Sequence, residues 1–193
     1  QINHRVQKFA PDGKFLLAFG DRGEEEHRLG EFYSLSIDDV NNVWVADPRH
    51  HRIALFSSQG QFIRSIGKKG KNPEELFEPV SVCYLKNGGY LVGDRSEHVL
   101  KYFNSKDELV YILKKDQPSI DTLHFLTADP HYGIFTAELM KKRILRLNSK
   151  LEPVFAYHRP GNRAGEFGII AGLSIYKDTL LVTDSGNHRV QAF

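Results

Sequence analysis

An acid and an arginine recur five residues apart, and both side-chain types serve in catalysis and metal binding. The clearest pairs are Asp47 with Arg52 and Asp184 with Arg189. One interpretation is a row of catalytic or metal-binding acids. The other is a structural ion pair, repeated in each unit, that ties one strand to the next. We favour the structural pair, because equivalent residues of different units lie too far apart to converge on one ion. As an exposed pair it would contribute about 0.2–1 kcal/mol.

Histidines recur at a similar spacing, at positions 4, 51, 98 and 188. Zinc needs about four ligands around one point, whereas repetition spreads these histidines around a ring. We therefore expect each, His188 included, to cap a turn through a hydrogen bond to the backbone, and we predict neither a metal site nor a cofactor. No nucleophile, base and orienting group occur at a recognisable spacing. The sequence thus predicts no catalytic residues and a protein that is not an enzyme.

These residues belong to an internal repeat. Residues 3–9, NHRVQKF, return almost unchanged as residues 187–193, NHRVQAF, and weaker copies begin at residues 50, 97 and 141. The five starting positions are 47, 47, 44 and 46 residues apart. A period of about 45 residues is typical of one propeller blade per repeat.

Each repeat contains four short apolar runs, rich in Val, Ile, Phe, Leu and Tyr, and too short for helices. We label these predicted strands a, b, c and d. The second strands are predicted at residues 43–47, 90–93, 134–137 and 180–183. Small residues mark the strand-a runs, which suits the crowded axis of a radial array. The predicted fold class is all-β, a β-propeller of four-stranded antiparallel blades with almost no helix.

The pattern Asp-x-x-Asn-His-Arg-Val/Ile-Gln-x-Phe, followed by Gly and by Phe-Gly-x-x-Gly, resembles the NHL repeat. The resemblance covers essentially the whole chain and is most specific at residues 184–193 and 3–23. The third and fourth copies depart from it, with Val99 in place of the arginine, Glu138 of the aspartate and Lys142 of the histidine. NHL propellers occur in TRIM-type ubiquitin ligases, where they bind RNA or proteins, in bacterial sensor proteins and in the peptide-amidating lyase. No residue of the lyase is carried over.

The phase of the repeat predicts strands c and d of one blade, three complete blades, and strands a, b and c of another. We expect residues 1–193 to form one domain, a partial propeller of four to five repeat copies. The resemblance implies that it belongs to a larger propeller of about six blades.

Composition narrows the class of partner. The 26 basic and 24 acidic residues give a formal charge of +2, which does not suggest a protein that binds nucleic acid through bulk charge, and DNA is not expected. The single cysteine, Cys83, and the absence of any Asn-x-Ser/Thr sequon favour the cytoplasm. No apolar run is long enough to span a membrane.

Strand alternation places the loops that join strand d to a, and strand b to c, on one face. The longest loops are predicted there, at residues 21–31, 68–78, 114–123 and 159–166. Loops on a rigid scaffold often carry binding residues. The predicted partner-binding residues are Arg49, His50, Lys68, Lys69, Lys71, Arg95, Lys141, Lys142 and Arg163.

We expect a protein partner, recruited in the manner of a ligase substrate, because Glu24, Glu25 and Glu26 on the same face would repel phosphate. Single-stranded RNA on this face remains an alternative. A metal-dependent lyase or hydrolase is another, although the inner strands carry mostly Ser, Cys, Thr and Gly where such an enzyme needs acids or histidines.

Overall fold

The computed structural model describes residues 3–114, 123–138 and 141–193. Its strands form five antiparallel sheets of two, four, four, four and three strands. We number these sheets as blades 1 to 5 in chain order. Blade 1 contains β1 (Arg5–Phe9) and β2 (Phe15–Gly20). Blade 2 contains β3 (Ser34–Ile37), β4 (Val43–Asp47), β5 (Arg52–Phe56) and β6 (Phe62–Ile66). Blade 3 contains β7 (Pro79–Tyr84), β8 (Tyr90–Asp94), β9 (Val99–Phe103) and β10 (Leu109–Lys114).

Blade 4 contains β11 (Leu123–Asp129), β12 (Gly133–Glu138), β13 (Arg143–Leu147) and β14 (Pro153–His158). Blade 5 contains β15 (Ile170–Tyr176), β16 (Thr179–Asp184) and β17 (Arg189–Ala192). The predicted all-β fold and its four-stranded antiparallel units are confirmed. Within the described ranges, helix is limited to two single turns of 3-10 type, at Pro48–His50 and Ser185–Asn187.

The predicted strand count is also confirmed. In the part of the chain that the structure describes, β1 and β2 form one sheet and β15 to β17 another, so the two ends do not complete a common blade. Membership of a larger propeller of about six blades stays a prediction.

The first strands of blades 2 to 5 lie side by side around the axis. Small polar residues join them. The Ser36 hydroxyl accepts the Tyr84 N–H at 3.0 Å, and the Ser34 hydroxyl lies 3.3 Å from the backbone nitrogen of Val82. Short side chains at these positions let the inner strands approach closely, as a radial arrangement requires.

The core is divided among the gaps between blades. One cluster of buried apolar side chains lies in each of the four gaps between consecutive blades. Because blades 2 and 3 are covered on both sides by their neighbours, their second strands are apolar on both faces, and all five residues of β4 and of β8 are buried.

Alternating strand direction divides the connections between two faces. We call the face with the d–a and b–c connections the loop face, and the face with the shorter a–b and c–d connections the turn face. Three d–a loops are described, at residues 21–33, 67–78 and 159–169, which we call loops A, B and C. The loop between blades 3 and 4, predicted within residues 114–123, falls mostly outside the described residues.

Candidate functional site

Loops A, B and C share one plan. Each contains a single parallel bridge between residues seven apart: Arg22 with Leu29, Lys69 with Leu76, and Pro160 with Phe167. The second residue of each bridge is an apolar anchor, and Leu29, Leu76 and Phe167 are at most 1% exposed. The anchors fix the base of each loop in the core, and the residues between the bridge partners form an exposed tip.

A buried acid at the end of strand b also holds each loop. Asp47 accepts the Gly30 N–H at 3.2 Å, and Asp184 accepts the Gly168 N–H at 2.9 Å. Asp94 accepts two loop N–H groups, from Phe77 at 2.7 Å and Glu78 at 3.0 Å. These carboxylates are therefore joints between the sheet and the loop that leads into it.

The same acids bind the arginines that the repeat predicted. Nε of Arg52 lies 3.2 Å from Asp47, and Nε of Arg189 lies 3.0 Å from Asp184. Both pairs join strand b to strand c within one blade. The expectation of a weak, exposed pair is wrong, because both aspartates are 0% exposed and Arg52 is 8% exposed. Removing one partner from such a pair leaves an uncompensated buried charge, which costs about 3–5 kcal/mol.

Strand c adds a third attachment that sequence reasoning missed. Arg52 donates to the Arg28 carbonyl of loop A at 2.6 Å, and Arg189 donates to the Glu166 carbonyl of loop C at 2.7 Å. In loop B, the buried Lys101 ammonium donates to the carbonyl of Glu75. The signal in the sequence was a lysine within an apolar strand. Blades 2 and 4 carry Ala54 and Leu145 at the position of Lys101.

Several hydrogen bonds converge on Asp184. Burial alone would raise the pKa of this carboxyl, but the Asn187 side chain, the Gly168 N–H and the Arg189 guanidinium outweigh it. They hold the pKa of Asp184 below its ordinary value, so its carboxylate stays charged while it anchors loop C.

The recurring histidines share a backbone conformation. His4, His51, His98 and His188 all have a positive φ, between 47° and 57°. Lys142, which replaces the histidine in the fourth copy, has a φ of 48°. The His51 ring is hydrogen-bonded to the Phe77 carbonyl of loop B, whereas the buried Nδ1 atoms of His4 and His98 have no hydrogen-bond partner among the described residues. His188 ends a 3-10 turn, and its own N–H bonds to the Ser185 carbonyl at 3.3 Å.

The predicted binding residues of blade 2 gather around one glutamate. The Arg49 guanidinium lies 2.8 Å from Glu24, and the His50 ring lies 3.3 Å from Glu24 and 2.7 Å from Asp47. The hydrogen bond from Arg49 lowers the pKa of the Glu24 carboxyl. This cluster joins the b–c turn of blade 2 to the tip of loop A.

Other predicted basic residues also pair with nearby acids. Lys68 lies 3.3 Å from Glu75, Lys141 lies 3.3 Å from Glu138, and Arg95 contacts Glu78. The Arg95 guanidinium also lies 5.8 Å from the centre of the Tyr33 ring. The ammonium groups of Lys69 and Lys71 lie 6.0 and 5.6 Å from the centre of the Phe77 ring. Arg163 and Lys142 are exposed on the same face.

The result is a face on which neighbouring loops of one design expose different charged side chains. The tip of loop A exposes Glu24, Glu25 and Glu26. Loop B exposes Lys68, Lys69 and Lys71, and loop C exposes Arg159 and Arg163. The predicted residues therefore lie on one face, but as a ring of local clusters and not as a single basic patch.

A cavity lies elsewhere, on the turn face, around the inner strands of blades 2 to 5. It has a volume of about 780 Å³, and its lining extends from Leu35 of blade 2 across Leu91 and Ile134 to Leu173 of blade 5. Its rim carries polar side chains, among them Tyr102, His131 and Arg146. We call this cavity the cleft. The sequence did not predict the cleft, because the long loops that it marked as binding segments lie on the other face.

The described residues contain no cluster of three or more His, Cys, Asp or Glu side chains placed to hold a metal ion. A separate observation concerns membranes: the described residues include no helix with the length and apolar character needed to cross one.

Comparison with known proteins identifies the fold. No model of a protein family matches the chain, and no curated protein resembles its sequence. Solved structures do match. The nidogen/laminin complex contains a chain with a TM-score of 0.72 and 14% identity, and the alignment covers 98% of this chain and 69% of that one. The WD40 domain of Neurospora crassa Pan2 matches with a TM-score of 0.64 and 16% identity, over 97% of this chain and 51% of that one.

Virginiamycin B lyase from Staphylococcus aureus also matches. Its TM-score is 0.65 at 11% identity, and the alignment covers 99% of this chain and 63% of the lyase. The chain spans between 53% and 63% of the length of the three lyase structures that it resembles. Identities this low show the fold alone.

The lyases overturn the prediction that the chain is not an enzyme. That prediction relied on the absence of catalytic residues at a recognisable spacing. A propeller brings loops from several blades around one axis, so catalytic groups can come from distant parts of a sequence without any local motif. The NHL resemblance stays a prediction. The comparisons establish the architecture in which these sites are built, and that architecture is a β-propeller.

Proposed function

We propose that the chain is a binding platform for a protein partner, which it recruits through the loop face. The observation that carries the proposal is the set of neighbouring loops with one common frame and different charged side chains. Loop A presents three glutamates at its tip, whereas loop B presents three lysines. A partner that matches both tips must carry charges of both signs in a fixed arrangement.

The loops are suited to binding because they are held before a partner arrives. Each has a buried apolar anchor, a backbone hydrogen bond to a buried aspartate, and a carbonyl bound by strand c. A loop that is already ordered loses little conformational entropy on binding. The attachments leave the tips exposed, so the tips are free to contact another molecule.

The charge pattern favours a protein over RNA. Phosphate would be repelled by Glu24, Glu25 and Glu26, and the lysine beside Glu75 is already paired. Two aromatic and cationic contacts, of Arg95 with Tyr33 and of Lys71 with Phe77, add the residue types that commonly dominate protein interfaces.

The solved structures agree with this class of function. One of the structural matches is a chain from the complex of nidogen with laminin, which is a protein–protein assembly. The resemblance to NHL repeats adds a more specific possibility, recruitment of protein substrates by a ubiquitin ligase in the cytoplasm. The proposal concerns binding of the partner, and it applies whether or not the chain also catalyses a reaction.

Charge reversal on loops A and B tests the proposal. The first variant combines Glu24→Lys, Glu25→Lys and Glu26→Lys, and the second combines Lys68→Glu, Lys69→Glu and Lys71→Glu. A matched control, Lys106→Glu with Lys150→Glu, changes exposed lysines on the turn face. Ligands selected from a displayed library of protein fragments on the wild-type chain are then titrated against each variant by biolayer interferometry.

We expect each loop variant to weaken binding about tenfold or more, and the control to leave it unchanged. Equal binding by all variants would contradict the loop-face proposal. A filter-binding series with random single-stranded RNA supplies the competing outcome. Saturable RNA binding, with a log–log salt slope of about −0.7 per phosphate contact, would replace the protein partner with RNA.

A further inference from the structure

We infer that His50 is a pH-sensitive latch that fastens the tip of loop A to the b–c turn of blade 2. When its ring carries two protons, it bridges the buried carboxylate of Asp47 and the exposed carboxylate of Glu24. When the ring loses one of these protons, it loses the bond to Glu24. The latch concerns the conformation of loop A, so the inference does not rest on the proposed function.

The His50 ring lies between two acids. Its Nδ1 atom is 2.7 Å from Oδ2 of Asp47, and its Nε2 atom is 3.3 Å from Oε2 of Glu24. The side chain of His50 is 13% exposed and that of Asp47 is 0% exposed, whereas the side chain of Glu24 is 73% exposed. The ring therefore connects a fixed acid inside the sheet with an acid on the loop tip.

The buried acid fixes which ring nitrogen carries the proton of a neutral imidazole. A carboxylate only accepts hydrogen bonds, so the short contact with Asp47 places that proton on Nδ1. Nε2 of the neutral ring is then an acceptor that faces the acceptor Glu24, and in the described ranges this buried atom forms no hydrogen bond. A second proton makes Nε2 a donor toward Glu24. An imidazole gains or loses such a proton between about pH 5 and 8.

Charged side chains from the neighbouring elements surround the ring. They are Asp47 on β4, Arg52 on β5, Glu24 on loop A and Arg49 on the turn that carries His50 itself. Glu31 of loop A adds a second negative charge near Arg49. The hydrogen bond from Arg49 lowers the pKa of the Glu24 carboxyl, so Glu24 stays ionised where an imidazole titrates. Guanidinium groups keep their charge as well, so the second proton on His50 is the variable part of this cluster.

Blade 5 contains the same joint without a titrating group. Asn187 ends the 3-10 turn of blade 5, as His50 ends that of blade 2. Nδ2 of Asn187 donates to Oδ2 of Asp184 at 2.8 Å and to the Gly161 carbonyl of loop C at 2.8 Å. An amide nitrogen carries two donor hydrogens whatever the pH in this range. An imidazole at the same position therefore makes the bond to the loop depend on pH.

Loop A depends on this contact more than loop C depends on its own. Gln191 of strand c accepts the Gly165 N–H and donates to the Glu166 carbonyl, so it holds the tip of loop C. Its counterpart in blade 2 is Ala54, whose side chain has no polar atom. In the part of the chain that the structure describes, Glu24 alone of the three tip glutamates forms a hydrogen bond or ion pair with blade 2. Weakening this contact therefore loosens the tip while the base of the loop stays anchored.

Backbone ¹⁵N relaxation of the full chain, measured at about pH 5.5 and about pH 7.5, tests the latch. His50→Asn copies the joint of blade 5. Glu24→Gln changes an exposed side chain without disturbing the turn, and its amide can accept from a protonated ring or donate to a neutral one. His27→Asn replaces an exposed histidine of the same loop and is the matched control. The tip of loop C, residues 161–166, is an internal control.

We expect the order parameters of residues 24–27 in the wild type to be about 0.85 at the lower pH and to fall below about 0.7 at the higher pH. His50→Asn and Glu24→Gln should each abolish this difference. His27→Asn should retain it, and residues 161–166 should not show it. The inference is overturned if the wild type shows no difference, if the difference survives both substitutions in the cluster, or if it disappears in His27→Asn.

Discussion

The 2–3 interface and the 3–4 interface use the same strands in the same register, yet one is filled with aromatic side chains and the other with aliphatic ones. Trp44, Tyr84, Tyr90 and Phe103 pack as one aromatic group between blades 2 and 3. Aliphatic residues occupy the same positions between blades 3 and 4, and the cleft of about 780 Å³ borders this interface on the turn face. The backbone repeat therefore sets the distance between blades, and side-chain size at four positions decides how fully the gap is filled.

The largest effect should come from emptying the filled interface. Trp44 is 5% exposed and contacts two tyrosine rings. We expect Trp44→Ala to lower the free energy of unfolding by about 3–5 kcal/mol. The matched change Leu91→Ala should cost about 2 kcal/mol, because its site already borders a cavity. Urea denaturation measures both, and equal losses would remove the distinction between the two interfaces.

A second prediction uses the thiol at the 3–4 interface. Burial raises the pKa of Cys83 to about 12. Since an unfolded thiol ionises near about 8.5, the unfolded chain loses this proton first as the pH rises. The free energy of unfolding should then fall by about 2 kcal/mol between pH 8.5 and pH 10.

Cys83→Ala isolates this effect, because other titrating groups are common to both proteins. The difference in unfolding free energy between the wild type and the variant should be constant below about pH 8 and should change above it. A difference that stays constant up to pH 10 would contradict the burial of the thiol. Ser36, the counterpart of Cys83 in blade 2, provides a comparison that has no group titrating in this range.

Adding an aromatic ring should distinguish the interfaces in the opposite direction. We expect Ala128→Tyr to change the free energy of unfolding by less than about 1 kcal/mol, because the ring enters existing space. Val82→Tyr, at a residue that is 1% exposed in the 2–3 interface, should cost about 1–3 kcal/mol through overpacking. Thermal or urea unfolding measures the contrast, and a larger cost for Ala128→Tyr would show that the cleft is too narrow for the ring.

The polar end of the filled interface predicts a smaller effect. Tyr90 donates to Asp107, and Asp107 also lies 2.6 Å from Arg64. Tyr90→Phe should lower the free energy of unfolding by about 1 kcal/mol, because one hydrogen bond is lost while Arg64 still satisfies the carboxylate. The loss should shrink in the background of Asp107→Asn, and additive effects would argue against the bond.

The smallest effect is expected at the turn that closes the cleft. Leu151→Gly relieves the strain of a positive φ but removes a side chain that is 2% exposed. These opposing terms should leave stability within about 1 kcal/mol of the wild type. Gly60→Ala at the same turn position of blade 2 should be destabilising, because the added Cβ would lie 2.8 Å from the Phe19 ring.

The sequence predicted the blades well because their signals are local. Apolar runs such as Val43–Asp47, turns at Gly13 and Gly60, and the repeated segment at residues 187–193 each identify one strand or turn. The attachments of the loops could be predicted only in part from the sequence. The repeat marked Asp47 and Arg52 as a pair, but not that Asp47 also binds Gly30, which lies 17 residues away and shares no local pattern with it.

The cleft was invisible for another reason. It depends on which residues face each other across two blades, and that requires the inward or outward direction of every strand. Ala128 and Leu147 are unremarkable in sequence, and they matter because they face the space that Tyr84 and Phe103 fill one blade earlier. The choice between binding and catalysis is harder still, because groups from separate blades meet at one axis without any shared motif.

Because loops A, B and C share one frame, their tips can be exchanged for one another. The bridge partners, the apolar anchor and the buried aspartate are supplied by the frame, so residues 23–28, 70–75 and 161–166 begin and end at equivalent points. A tip transplanted from one blade to another would meet the same attachments. The binding specificity of such a protein can change one loop at a time, without any change in the core that carries the loops.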